Sequence, residues 1–233
     1  MNDLDDLAAF GPVFAVGTHP PQARPAAPWR PLAELAGPSG ALSRRIERVR
    51  AALGKLSGRP AAEVGPRIAA SIAQNELVAR IIAPSVAAAA TGRRLSMRLG
   101  ELWWQDTLDD PVPLSVPRPE AAASDPPRLA DLVEEAVAPL TIATSDLVTV
   151  SPLVLWGNVA ALVNKAAARV AERRPELSRP AWAAAATLLA SPRFSHEHCP
   201  PGPEFRRSSC CLVYLIAPGR PHGVCRDCVL RPP

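Results

Sequence analysis

"SPLVLWGNVAALVNKAAARVAERR", residues 151–174, decides how the rest of the chain is read. Leu155, Val159, Leu162, Ala166 and Val170 recur at helical spacing and form one apolar stripe. Ser151 stands at the N-cap position and Pro152 at the first helical residue, where its missing N–H costs nothing. Arg169, Arg173 and Arg174 gather toward the C-terminal end, the favourable end of the helix dipole for cations. A long helix with one apolar stripe requires other helices to cover it, and the flanking sequence supplies them.

Upstream, residues 41–56 predict a helix with Leu42, Ile46, Val49, Leu53 and Leu56 inward and Arg44, Arg45 and Arg48 on the opposite side. Residues 64–82 predict another, with Ile68, Ile72 and Ile82 inward, broken or kinked at Pro84 and followed by a short Ala-rich helix. A further helix is expected from Pro127 to Pro139, and a last short one from Pro180 to Leu189. Between them the period changes. In "LSMRLGELW" the residues Leu95, Met97, Leu99, Glu101 and Trp103 alternate, as do Val112, Leu114 and Val116 after a turn at Asp109 and Asp110. This predicts a β-hairpin near 95–116 whose second strand, flanked by Pro113 and Pro117, lies at an edge. Residues 117–127 read as a linker, and no internal repeat is present. The expected fold is mainly α (α+β): an extended Pro-rich lead over 1–40, a helical domain with a small antiparallel hairpin or sheet over 41–195, and an irregular C-terminal segment over 196–233.

Composition bounds the partners. With 48% hydrophobic residues among 233, the chain can build a core without disulfides. Aromatics are only 4%, so that core must consist mainly of Leu, Val, Ile and Ala. The net charge of +4 is small and its arginines are dispersed, with no basic run interleaved with aromatics, so nucleic acid is not an expected partner. No stretch of about 18 uncharged apolar residues exists, which limits membrane association to a peripheral kind. The opening "MNDLDDLAAFGPVF" is acidic where a secretion signal would be basic. A cytoplasmic location is therefore expected, and there thiols remain reduced.

Against that background the C-terminal "FRRSSCCLVYLIAPGRPHGVCRDCVL" stands out, because four of the five cysteines fall in it: Cys210, Cys211, Cys225 and Cys228. Adjacent cysteines in a strand would point to opposite faces, and a disulfide between them would be far from normal bridge geometry. In a turn, both sulfurs can be aimed at one centre. The C-x-x-C spacing of Cys225 and Cys228 is a known two-thiolate hook. Four soft thiolates select zinc or an iron–sulfur cluster. The residues alone leave open a zinc-stabilised binding module, a redox-sensing cluster and an electron-transfer centre.

The same segment resembles the C-terminal signature of the FhuF family of ferric-siderophore reductases, of the form R-x-S-C-C-L-x-Y, a loop, then C-x-D-C-x-L. Arg207, Ser209, Cys210, Cys211, Leu212, Tyr214, Cys225, Asp227, Cys228 and Leu230 fit it one by one. Upstream, "LWGNVAALV" (Leu155 to Val163) resembles a family segment around a Trp-Gly-Asn triplet. The thirteen residues between Cys211 and Cys225 make a longer loop than the family's usual one, with the extra length around "APGRPHG". The resemblance implies that Cys210, Cys211, Cys225 and Cys228 bind a [2Fe-2S] cluster and that the protein is an oxidoreductase. Its reaction would reduce ferric siderophores by one electron in the cytoplasm, as a step in iron transport. Reduction loosens the iron because hard oxygen donors hold iron(II) poorly. Such a cluster carries about −2 when oxidised and about −3 when reduced. Arg206, Arg207, Arg220, Arg226 and His222 lie close in sequence to offset that charge or to dock an anion.

The chain has no G-x-G-x-x-G after a strand and no P-loop, so an external donor is implied: a ferredoxin, a flavin reductase or a small reductant. Other features read as structural. His196, His198 and Cys199 lack an obvious fourth ligand and are expected in an exposed loop, with Cys199 a free thiol. Trp103 and Trp104 could stack on a ligand, although at least one should be core. Gly157 suits close helix packing, with Trp156 and Asn158 either packing beside it or supporting the cluster. No Ser/His/Asp set has the context for hydrolase chemistry.

Overall fold

The computed structural model describes residues 4–93, 95–108, 111–118, 128–197, 200–216 and 225–230. Among the described residues five α-helices form the body: α1 (Ala41–Ser57), α2 (Pro66–Ala90), α3 (Ala138–Leu147), α4 (Pro152–Arg173) and α5 (Ser178–Leu189). The fold is mainly α with a small sheet. Its centre is the pairing of α2 with α4, and α5 covers the far side of α4. Leu155, Val159, Ala166 and Val170 of α4 are buried as the stripe requires, and Leu162 is partly buried. Each buried Leu or Val contributes about 1.5–3 kcal/mol relative to exposure. Ser151 makes no side-chain cap, and its carbonyl alone serves the first turn.

In α1, Leu42, Ile46 and Val49 are buried, but two expected orientations are corrected. Leu56 in the last turn is 80% exposed, whereas Arg45 is 1% exposed. Arg45 follows Leu42 by three residues and precedes Val49 by four, which places it on the apolar stripe itself. Its guanidinium is neutralised there by Glu76 at 2.8 Å and Asp106 at 3.2 Å. It also donates to the Thr107 carbonyl and lies over the ring of Trp104.

Pro84 does not break α2, which continues to Ala90. Next to the missing proline N–H, Ser85 Oγ donates to the Ile81 carbonyl at 2.7 Å. The helix expected to stop at Pro139 likewise continues. A 3-10 turn (Leu129–Asp131) and a π-helical turn (Val133–Val137) lead into α3, and Pro139 occupies its first turn.

Residues 4–40 are not an extended lead. They carry 3-10 helices at Asp5–Phe10, Pro12–Phe14 and Leu32–Leu35, and strands β1 (Gly17–His19) and β2 (Arg30–Pro31). Leu4, Leu7, Phe10, Phe14, Leu32 and Leu35 are all buried. Arg80 of α2 anchors the segment, donating to the carbonyls of Pro12, Val13 and Ala15 and, at 2.6 Å, to that of Val112.

The hairpin is present but short. Strands β3 (Trp103–Trp104) and β4 (Leu114–Pro117) pair antiparallel, with Trp104 opposite Leu114. A 3-10 turn at Leu99–Glu101 interrupts the expected alternation, so Trp104, not Trp103, is fully buried. The sheet order is β1-β4-β3-β2, and β1 pairs with β4 in parallel. The strand β4 is therefore internal and the sheet mixed, correcting the expected antiparallel edge. Its prolines flank the central residues and leave the N–H groups of Leu114–Val116 available for pairing. The turn at Asp109 and Asp110 and the linker over 119–127 lie outside the described residues.

Candidate functional site

The C-terminal segment lies across α4 and against α2. Phe205 is buried, and the chain then alternates, with Arg206 exposed, Arg207 buried and Ser208 exposed. Ser208 N–H donates to Glu197 Oε2 at 2.9 Å, and Ser209 Oγ donates to the Leu153 carbonyl at 2.7 Å. Glycine is required at 157, since a Cβ there would fall 2.2 Å from Ser209 Oγ. Trp156 is a packing residue, edge-on to Phe194 and capped by Arg193.

After Cys211 the chain turns sharply. Leu212 adopts a left-handed backbone, φ 66°, and a 3-10 turn follows over Val213–Leu215. The C-x-x-C segment closes a turn of its own, with Cys228 N–H donating to the Cys225 carbonyl at 3.1 Å. Arg207 N–H donates to the Asp227 carbonyl at 3.0 Å and ties the two cysteine motifs together.

The thiols face each other across the motifs. Cys211 Sγ lies 3.3 Å from Cys225 Sγ. Cys210 interacts with Cys228. The turn at Cys211–Leu212 thus aims both adjacent sulfurs toward the C-x-x-C pair, one to each of its cysteines. Backbone N–H groups reach three of the four sulfurs from two residues ahead: Leu212 to Cys210 at 3.4 Å, Leu230 to Cys228 at 3.4 Å, and Val213 to Cys211. Such bonds favour the thiolate over the thiol. Among the described residues no group of three or more His, Cys, Asp or Glu side chains is drawn together around a single ion position.

The charges at the site are uneven. The thiol of Cys211 is held down at about 5, chiefly by the hydrogen bond with Cys225 and further by Val213 N–H and Arg207. Its partner Cys225 is pushed up by the same bond and by burial. Burial also pushes Cys210 up. Of the basic residues expected around the cysteines, Arg207 is the only buried one among the described residues, while Arg206 and Arg226 are exposed. Arg220, His222, His198, Cys199 and the "APGRPHG" loop lie outside the described residues. His196 stands 3.4 Å from Glu197 Oε1.

Beneath the cysteines lies a polar network that the pattern of residues alone did not reveal. Arg207 Nη1 donates to Asn158 Oδ1 at 2.9 Å, Asn158 Nδ2 to Ser71 Oγ at 3.0 Å, and Ser71 Oγ to the Cys211 carbonyl at 3.1 Å. The circuit runs from the Arg207 side chain to the Cys211 backbone. Gln74 supports it, accepting from Asn158 and donating to Thr141. Each such bond contributes about 0.5–1.5 kcal/mol net, and leaving one buried partner unsatisfied costs more. One signal was present in the sequence: Ser71 and Gln74 are polar residues three apart in the otherwise apolar α2 segment "IAASIAQ".

Lys165 Nζ of α4 lies 3.4 Å from Asp227 Oδ1. Lys165 also lines a cavity of about 410 Å³ between residues 10–14 and α4, floored by Phe14, Ala83, Leu162 and Ala166, with Arg169 on its wall. The mainly apolar cavity therefore sits one side chain away from the cysteine turn. No helix among the described residues is long and apolar enough to cross a membrane. No family model, curated protein or solved structure matches the chain.

Proposed function

We propose that this protein is a [2Fe-2S] electron-transfer protein that reduces ferric siderophores, with Cys210, Cys211, Cys225 and Cys228 as the cluster ligands. The observation that carries the reading is the arrangement of the thiols as two facing pairs, three of them receiving backbone N–H groups. Two pairs suit a dinuclear centre, in which each metal takes two thiolates, better than a single tetrahedral zinc. The buried Arg207 suits it too, because such a cluster is a net anion. Its likeness to the FhuF signature supplies the substrate class.

The bound cluster would supply one electron at a time. The chain's own residues do the remaining work. The turns at Leu212 and at Cys225–Cys228 hold the sulfurs, and their N–H groups stabilise the thiolates. Gly157 lets the segment approach α4, and Asn158, Ser71 and Gln74 fix Arg207. Lys165 and the adjoining cavity offer a cationic lip and an apolar floor for part of an anionic chelate. The balance is one electron from an external donor, a ferredoxin or a flavin reductase, and one iron(III) reduced to iron(II). The weakened oxygen ligands then release the metal. We place the reaction in the cytoplasm.

The test is anaerobic purification followed by iron and acid-labile sulfide analysis, absorbance and EPR. The expected protein is red-brown, with equal iron and sulfide and an EPR signal after one-electron reduction. On mixing the reduced protein with ferric siderophores, iron(II) should be captured by a coloured chelator. A colourless protein holding one zinc, or a reduced cluster that leaves every ferric siderophore untouched, overturns the reading.

A further inference from the structure

Arg207 is a buried cation whose hydrogen-bonding capacity is only partly used. The residue is 3% exposed. Nη1 is bound by Asn158, a neutral partner, at 2.9 Å. Nε and Nη2 are buried without a hydrogen-bond partner, and so are both carboxylate oxygens of Asp227. Arg207 and Asp227 face each other, yet Nε stops 3.8 Å from Asp227 Oδ2, short of a hydrogen bond. Asn158 holds the guanidinium in this position, fixed in turn by Ser71 and Gln74. Lys165 draws on the same carboxylate from the other side. The circuit through Asn158 and Ser71 to the Cys211 carbonyl sets this guanidinium beneath the cysteine turn.

A buried ion pair held too far apart to hydrogen-bond is costly, because each charge is desolvated without full compensation. Such an arrangement is stable when a further charged group completes it. We propose that Arg207 is the positioning residue that sets the reduction potential of the cysteine-bound cluster, its unpartnered N–H face being reserved for the anionic sulfur around Cys211. This rests on the [2Fe-2S] reading above. An arginine is charged at every accessible pH. One-electron reduction adds a negative charge to the cluster, and a fixed buried cation stabilises the reduced form more than the oxidised one. Asp227 acts in the opposite sense, and Asn158 keeps it from neutralising Arg207 outright.

The test is an EPR-monitored redox titration of the anaerobic holoprotein. Arg207→Gln should lower the reduced-to-oxidised ratio at the wild-type midpoint about tenfold, a shift of about 59 mV to lower potential for a one-electron couple. Arg207→Lys should fall between the two, and Asp227→Asn should shift the midpoint upward. An unchanged midpoint in a fully loaded Arg207→Gln protein overturns the proposal. Should that variant fail to hold a cluster, Asn158→Ala decides. Freed from Asn158, Arg207 closes on Asp227 and the midpoint drops; an unchanged midpoint there is equally fatal. A wild-type protein without a cluster would instead remove the functional reading itself, so the two failures are distinguishable.

Discussion

The Cα of Gly157 and the hydroxyl of Ser209 approach so closely that a Cβ at 157 would lie 2.2 Å from Ser209 Oγ. The contact joins the second turn of the core helix α4 to the residue immediately before Cys210. Ser209 cannot simply swing aside, because its hydroxyl is committed to the Leu153 carbonyl. Gly157→Ala should therefore displace the segment carrying Cys210 and Cys211, costing about 1–3 kcal/mol as overpacking. Cluster content should fall while helical circular dichroism is retained. Adding Ser209→Ala should recover part of the loss, since the contacts that remain are milder: Glu197 Oε1 at 3.2 Å, which must give by a few tenths of an ångström, and the residue-209 Cβ at 3.5 Å. Full cluster content in the single variant would remove this contact from the account.

Cys225→Ser should abolish the proposed cluster and leave the helices in place. Cys225 faces Cys211 at 3.3 Å, whereas the α2–α4 core involves neither thiol. Visible absorbance and far-ultraviolet circular dichroism read the two effects separately. Wild-type absorbance in the variant would refute the ligand assignment.

Arg80→Met should release the N-terminal segment. The substitution leaves the carbonyls of Pro12, Val13, Ala15 and Val112 without their shared donor. With the orphaned Val112 carbonyl buried and those of residues 12–15 only partly so, a loss of at least about 1 kcal/mol is expected in urea unfolding. Limited proteolysis should find new cuts near residues 12–19. A variant as stable and as protease-resistant as wild type would contradict the anchoring role.

His19 makes stability depend on pH. It is 6% exposed, its Nδ1 lies 2.8 Å from Ser115 Oγ, and burial holds it below its usual 6.5. The folded chain resists a proton that the unfolded chain accepts once pH drops below about 6.5. The contribution is therefore complete above that pH and is lost as pH falls from there through the folded-state value. Thermal midpoints should decline between about pH 7 and pH 5, and His19→Gln should flatten part of that decline. Identical slopes for both proteins would show that His19 is not the group responsible.

What the residues determined unaided was whatever depends on neighbours in sequence. The 3.6-residue period of Leu155, Val159, Ala166 and Val170 specifies α4 wherever that helix packs, and the spacing of four thiols in a short tail singles that segment out as the candidate site before any fold is known. Glycine at 157 could be read as close packing, though not against which partner. Local rules failed where a distant partner overrode them. Arg45 lies on the buried stripe because Glu76 and Asp106 neutralise it, and residues 4–40 join the core because Leu4, Leu7, Phe10, Phe14, Leu32 and Leu35 find apolar partners there while Arg80 collects the carbonyls of residues 12, 13 and 15. Pro84 stays inside α2, whose residues around it are buried against the rest of the core. The same holds at the site. Which cysteine faces which, and the circuit from Arg207 through Asn158 and Ser71 back to Cys211, join residues as far apart as 71 and 211. Hydrogen bonds and ion pairs act over a few ångströms of space. Tertiary structure alone could therefore decide what surrounds the thiols that the sequence had already announced.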